Sequence, residues 1–420
     1  MQLGHTFFKS RKLAVAFALG ASATWATAGY FQWETVELPT SSGAACGDGT
    51  PYRFFVNRTF LTKDTVVSFE GGGGCWEQDT CLGKAPLGAT NPNGIPSNYM
   101  TSATMAALGL VTPFTSRINP LQTTRTQAWN MVYLPYCTGD THTGSAVRVY
   151  GDSNPASPRV QYHKGYINAQ VAAQWIRNNM GRPKQLLVTG FSAGGVGATS
   201  NYAVMRNTLA PTGRSSLLGD SGPLFPAPQG GSAAQYPSLP LQNKIRSAWG
   251  ADEAGGIVSG LRNTLPAFDT RNLGSIYGSL ALRYPADKFG YAMFQRDGVF
   301  PAFSYRGFQD DVKNAPDAAT AEARMNAHWR KDISQWIPTI SNYANISYHV
   351  PYMRDFGKSH CLSVVDFSGT EIDGSGPNMA AFVKDNLDGG PGMRHQAVTT
   401  IEGHRSIAVS LLSWAMALFQ

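Results

Sequence analysis

The stretch Leu186-Leu187-Val188-Thr189-Gly190-Phe191-Ser192-Ala193-Gly194-Gly195 decides the fold. Four apolar or β-favouring residues run into Gly-x-Ser-x-Gly, and small residues follow. The run predicts a strand that ends in a sharp turn, with Ser192 lifted above the sheet edge. Glycines on both flanks leave room for a backbone that a larger side chain would block. Val196 to Arg206 contains no proline and predicts a helix. Its N-terminus then lies beneath the serine, where free amides favour a developing negative charge. The same pattern also fits a plain strand–turn–helix joint, so partners for the serine have to be found elsewhere.

Working outward, strands alternate with helices. Tyr52–Val56 and Thr65–Phe69 are strand-like, and the second runs into Glu70-Gly71-Gly72-Gly73-Gly74-Cys75-Trp76. A strand followed by bare backbone amides is a common source of an oxyanion hole beside such a turn. Residues 82–125 read as an irregular surface excursion. Met131–Tyr136 is a further apolar run, and the polar loop 137–144 at its end is placed to line a pocket. Gly165–Met180 has helical spacing of Ile167, Val171, Ala172, Trp175 and Ile176. Leu217–Gly222 is a short strand into a turn, and the proline-rich residues 223–250 suit a cap or lid. Residues 272–284 read as helix and Lys288–Gln295 as strand. Ala318–Tyr343 reads as one long helical region or two helices divided at Pro338. Ile346–Tyr352 reads as the last strand, and Ile407–Leu418 as a closing helix. This predicts an α/β fold with a mostly parallel central sheet, flanking helices and long loop insertions.

The 420 residues are 42% hydrophobic and 11% aromatic, enough for a sizeable core. Lys9, Arg11 and Lys12 precede an apolar run, Leu13–Trp25, too short to span a bilayer, and Ala26-Thr27-Ala28 fits a cleavage site. Residues 1–28 are therefore expected to be a signal peptide and 29–420 a single catalytic domain, secreted or periplasmic, without stable membrane association. Removing the three leader cations leaves 31 basic against 27 acidic residues, a net +4. No basic run interleaves with aromatics, so nucleic acid is not an expected partner. The five cysteines are Cys46, Cys75, Cys81, Cys137 and Cys361; an exported chain favours disulfides, and the odd count leaves at least one unpaired within the chain. No Cys-x-x-Cys or His-x-x-x-His occurs, so no metal or other cofactor is expected.

A serine hydroxyl needs a base, and the base needs an orienting carboxylate. The chain order of this layout is Ser, acid, His. Of the downstream histidines, His349 lies in a strand, His328 in a helix, and His395 in a glycine-rich loop without a preceding strand. His360 follows the last strand by a short loop and is favoured; His404 is its rival. Among the acids, Asp297 ends a strand and ranks first, Asp310 second and Asp220 third.

These blocks together resemble the pectin acetylesterase / Notum family of α/β-hydrolases. The resemblance is carried by Cys46-Gly47-Asp48-Gly49 with Pro51-Tyr52, by Phe69–Cys75 with Cys81, and by Pro135-Tyr136-Cys137 with Gly144. Gly190–Gly195, Asp220-Ser221-Gly222, the strand into Asp297, and His360-Cys361 complete it. It implies a Ser192/Asp297/His360 triad and an oxyanion hole on the amides of Gly72, Gly73 and Ala193. It also implies bridges Cys75–Cys81 and Cys46–Cys137, with Cys361 free. The glycine run here is uninterrupted, with Trp76 after Cys75, and Ser359 rather than a cysteine precedes His360. The expected activity is hydrolysis of a carboxylic ester through an acyl-enzyme. An O-acetylated, pectin-like polysaccharide is the favoured substrate. Another polymeric or lipid-like ester is the second choice, and a non-catalytic carbohydrate-binding protein is the rival of a different class.

Overall fold

The computed structural model describes residues 29–101, 112–119 and 121–404. The leader and the closing helix expected at 407–418 lie outside them. The strands in chain order are β1 Trp33–Glu37, β2 Arg53–Asn57, β3 Thr65–Phe69, β4 Asn130–Leu134, β5 Ala146–Tyr150, β6 Arg159–His163, β7 Leu186–Phe191, β8 Ser215–Asp220, β9 Lys288–Ala292, β10 Ile346–Val350, β11 Met353–Arg354, β12 Arg394–Gln396 and β13 Glu402–Gly403. Nine of them form one sheet in the order β1-β2-β4-β3-β7-β8-β9-β10-β12. Pairing is antiparallel from β1 to β2 and from β2 to β4. From β4 to β12 every pair is parallel.

The centre of this sheet is buried on both faces, so its strands are continuous apolar runs rather than alternating ones. Val67, Leu186, Val188 and Leu217 point into a large core shared with the helices Gly165–Met180 and Ala193–Leu209. Val66, Leu187 and Leu218, one residue out of step, point into a second core. There they meet Met379, Phe382, Val383 and Leu387 of the helix Met379–Asp388. The period-2 switch of faces along each strand thus divides the apolar residues between two layers.

Of the two readings of the long helical region, the undivided one is found: Pro338 does not break it, and Ala318–Ser341 is one helix with the proline inside it. Its buried face, including Trp329, Ile333, Trp336 and Ile340, is held by the core on both sides of the proline, and this outweighs one lost backbone bond. Nor is Ile346–Val350 the last strand. β12 pairs in parallel with it at the sheet edge and places His395 opposite His349. Three residues give too short a pattern to read in sequence. The segment 223–250, expected as a cap, contains the helix Leu239–Ala248.

Disulfides join Cys46 to Cys137 and Cys75 to Cys81, and Cys361 is free and buried. Glu70, directly after β3, ties the ends of β3 and β4 together. One carboxylate oxygen accepts the Tyr136 amide at 2.7 Å and the other the Tyr99 hydroxyl at 2.6 Å. Burial pushes its pKa up to about 7, and these hydrogen bonds pull it back only part of the way. Nearby, burial pushes Asp140 up to about 6 although it accepts from Thr138 Oγ1, the His142 amide and the Gly165 amide. Burial lowers His142 to about 4, and its neutral ring donates through Nε2 to the Glu70 carbonyl at 2.9 Å.

Glu70 binds its proton more tightly in the folded chain than in the unfolded one, where its pKa is about 4.3. Its contribution to stability is therefore full below that value and is lost as pH rises toward 7. Urea unfolding of wild type and Glu70→Gln from pH 4 to 8 checks this. The stability of wild type relative to the variant should fall by roughly 1–3 kcal/mol across that range, since each tenfold gain in proton affinity on folding is worth about 1.4 kcal/mol. A pH-independent difference would contradict the assignment.

Candidate active site

Ser192 sits where β7 turns into the helix Ala193–Leu209, with φ 56° and ψ −124°. A non-glycine residue in this region is strained, and such strain concentrates at functional turns. The turn exists because its neighbours have no side chains to clash. A Cβ on Gly190 would strike the Gly194 carbonyl, and one on Gly194 would strike the Phe69 carbonyl of β3. The Ser192 amide donates to the Asp220 carbonyl at the end of β8, at 2.9 Å.

The glycine run leaves β3 beside this turn. Gly74 donates to the Leu87 carbonyl and Cys75 to the Gly139 carbonyl. The amides of Gly72, Gly73 and Ala193 donate to no protein acceptor among the described residues. Gly72, Gly73, Ser192 and Ala193 line one cavity of about 240 Å³, whose other walls include Leu87, Thr141, Val299, Phe300 and Phe303. The loop 137–144 thus lines the pocket through Thr141, in keeping with its place at a strand end.

Asp297 is fully buried in the loop after β9. Its Oδ2 is 2.7 Å from His360 Nδ1, while Oδ1 accepts the amides of Val299 and Phe300. It is both a turn-forming aspartate and the partner of a histidine. The His360 side chain is 13% exposed. Its Nε2 is buried without a hydrogen-bond partner among the described residues, and so is not hydrogen-bonded to the Ser192 hydroxyl in this structure. Burial favours the neutral ring, but the charge and hydrogen bond of the Asp297 carboxylate, together with the adjacent Cys361, outweigh this and hold the imidazole pKa well above its ordinary value. Burial pushes the adjacent Cys361 up to about 11, so it is a thiol.

The lower-ranked candidates lie elsewhere. Asp310 is exposed and pairs with Lys313 at 2.7 Å. The exposed His404 faces Asp355 at 3.5 Å. His328 pairs with Asp311 at 3.0 Å, and His349 is buried in β10 with Nε2 on the Thr370 carbonyl. Asp220 is buried and, among the described residues, accepts no hydrogen bond from a histidine; it accepts from Ser221, Leu362 and Ser363. Sequence reasoning misses the buried acids Glu70 and Asp140, which sit in blocks that stand out for their glycines and cysteine. It also misses Arg354, a buried cation whose Nη2 donates to the Cys361 carbonyl at 2.6 Å. Its position before the histidine loop gives no local signal.

Among the described residues, Cys75, Cys81 and His163 form the cluster with metal-ligand chemistry. Both sulfurs are in the disulfide, and the two ring nitrogens face the Thr138 carbonyl at 3.1 Å and the Tyr150 hydroxyl at 3.0 Å. The cluster has no free donor set for a metal.

The model of the pectinacetylesterase family matches residues 26–239. Palmitoleoyl-protein carboxylesterase notum1a of Danio rerio is 24% identical over 188 residues, 43% of this chain and 34% of its own length. A second Danio rerio relative, named inactive palmitoleoyl-protein carboxylesterase notum1b, is 24% identical over 110 residues, 26% of this chain and 73% of its own. The alignment thus spans about a third of the length of the first relative. The solved structure of the Wnt deacylase Notum from Drosophila superposes with a TM-score of 0.53 at 16% identity, covering 87% of this chain and 96% of that one. That likeness carries the fold, an α/β-hydrolase sheet with its flanking helices. With the family model matching half of the sequence, the chain belongs to the pectinacetylesterase family.

Proposed function

We propose that the protein is an exported serine carboxylesterase whose catalytic domain begins near residue 29. The observation that carries this reading is the buried Asp297–His360 pair, in a loop clamped to the strand end beside the strained Ser192 turn. In this reading Ser192 attacks the acyl carbonyl and His360 Nε2 takes the hydroxyl proton. That contact forms with substrate bound, as catalytic hydrogen bonds often tighten only in the complex. Asp297 keeps the proton of Nδ1 in place and stabilises the imidazolium. The amides of Gly72, Gly73 and Ala193 receive the oxyanion, each donor being worth about 10²–10³ in rate. His360 returns the proton to the leaving alcohol, and water, activated by the same base, releases the acid.

The cavity at Ser192 supports a short acyl group. Its walls enclose about 240 Å³, room for a short acyl group. An extended alcohol has more room. A depression of about 450 Å³ shares Leu87 and Phe303 with this cavity and Arg306 with a polar cleft of about 1100 Å³ beside Asp297. An O-acetylated polysaccharide fits both dimensions. The buried acid–base pair weighs against a non-catalytic role, although one relative is named inactive.

Three measurements test the reading. Ser192→Ala should abolish turnover of p-nitrophenyl acetate while leaving the circular dichroism unchanged; retained turnover would sink the esterase claim. Because His360 must be neutral to act and its pKa is raised, kcat/KM should rise with pH along an acid limb lying above about 6.5. Asp297→Asn should move that limb to lower pH and cut kcat by about 10⁴, whereas Asp310→Asn should change neither. Across p-nitrophenyl esters, kcat/KM should be highest for short acyl chains and fall as the chain lengthens toward sixteen carbons.

A further inference from the structure

Asp220 ranks third as the acid in sequence and accepts no hydrogen bond from His360. Its surroundings give it another task. Its side chain is wholly buried at the end of β8, in hydrogen-bond register with β7. One carboxylate oxygen accepts the Leu362 amide at 3.0 Å and the Ser221 hydroxyl at 2.9 Å. The other accepts both the Ser363 amide and the Ser363 hydroxyl at 2.7 Å. Ser221 extends the grip, since its hydroxyl oxygen also accepts the Cys361 amide at 3.1 Å. Three consecutive amides, 361 to 363, therefore end on Asp220 and Ser221, directly after His360. From the other side, Arg354 Nη2 holds the Cys361 carbonyl. Meanwhile the Asp220 carbonyl accepts the Ser192 amide.

We propose that Asp220 is the positioning residue of the catalytic site: one residue holds the nucleophile through its carbonyl and the base's loop through its carboxylate, and so sets the spacing between Ser192 and His360. The loop needs such a hold. Lys358, Ser359 and Cys361 all have positive φ, between 53° and 65°. A loop in that conformation persists only where its surroundings over-determine it. Three hydrogen bonds from the loop to one buried carboxylate, with a fourth to the Cys361 amide through Ser221, provide this, since charge-assisted bonds are about twice as strong as neutral ones. An asparagine of the same shape would present an NH2 group where an amide or hydroxyl now donates, and would release one arm of the clamp.

This role rests on the esterase reading, and the experiment separates the two. Turnover of p-nitrophenyl acetate is measured for wild type, Ser192→Ala, Asp220→Asn, His360→Ala and the double variant Asp220→Asn/His360→Ala, each with near-ultraviolet circular dichroism as a check of the fold. Asp220→Asn should lower kcat about 10- to 100-fold, the scale expected of a displacement near 1 Å, with KM within about two-fold. In the His360→Ala background, where the base is gone, the same substitution should change the residual rate by less than about two-fold, because its effect runs through the histidine. Equal losses in both backgrounds would overturn the proposal, since Asp220 would then act on Ser192 or on the fold. An unchanged kcat would overturn it as well. Should Asp220→Asn fail to fold, Ser221→Ala, which removes the hydroxyl that receives the Cys361 amide, is read in the same cycle against the same criteria. Turnover surviving in Ser192→Ala would instead strike at the esterase reading.

Discussion

The left-handed turn at Ser192 is the constraint on which the site depends. A serine at φ 56° costs on the order of 1–3 kcal/mol, and nothing local repays it. It is kept because β7 lies in the middle of a parallel sheet, between β3 and β8, with both faces covered by helices. Each neighbour strand then contributes what the turn lacks. The end of β3 passes so close to Gly194 that no side chain is tolerated there, and β8 supplies the carbonyl that takes the Ser192 amide. The helix that follows leaves free amides at its first turn. Sheet position, glycine placement and helix start are therefore one requirement expressed three times.

Strands are legible in the sequence where burial is simple. Thr65–Phe69 and the helix Gly165–Met180 have the bounds that apolar spacing predicts, because each answers to one dominant environment. Edge and insertion are not legible. β12 is a three-residue strand whose partner is far away in sequence, so no local pattern marks His395 as paired with His349. Pro338 reads as a possible break because propensity is local, whereas the packing of Trp336 and Ile340 on either side of it is not.

The site divides in the same way. Ser192, the glycine run and the loop after β9 can be placed from strand ends, since α/β folds gather their functional loops at the carboxyl edge of the sheet. What local pattern does not carry is which buried charge does which task. Asp220, Asp297 and Asp140 each follow a strand or an apolar run in sequence, and their residue type is the same. They differ in what reaches them: amides and hydroxyls from the histidine loop for Asp220, an imidazole for Asp297, and the residues around Gly165 for Asp140. Those partners come from elements up to 143 residues away, as from Ser363 to Asp220, and only the folded sheet brings them together.

On the esterase reading, Asp297 also links chemistry to selectivity. Its Oδ2 meets His360, and its Oδ1 receives the amides of Val299 and Phe300. Phe300 opens the short helix Phe300–Tyr305, and Val299, Phe300 and Phe303 form the apolar wall of the cavity at Ser192. On the proposed mechanism, the carboxylate that orients the imidazole is therefore also bonded to the backbone of the wall that would face the acyl group. Acyl-chain preference and the hold on His360 thus share the turn at residues 297–300, whose amides bond Asp297. The glycine-lined side of the cavity carries no such link, because Gly72 and Gly73 belong to the loop after β3 rather than to the loop that holds Asp297.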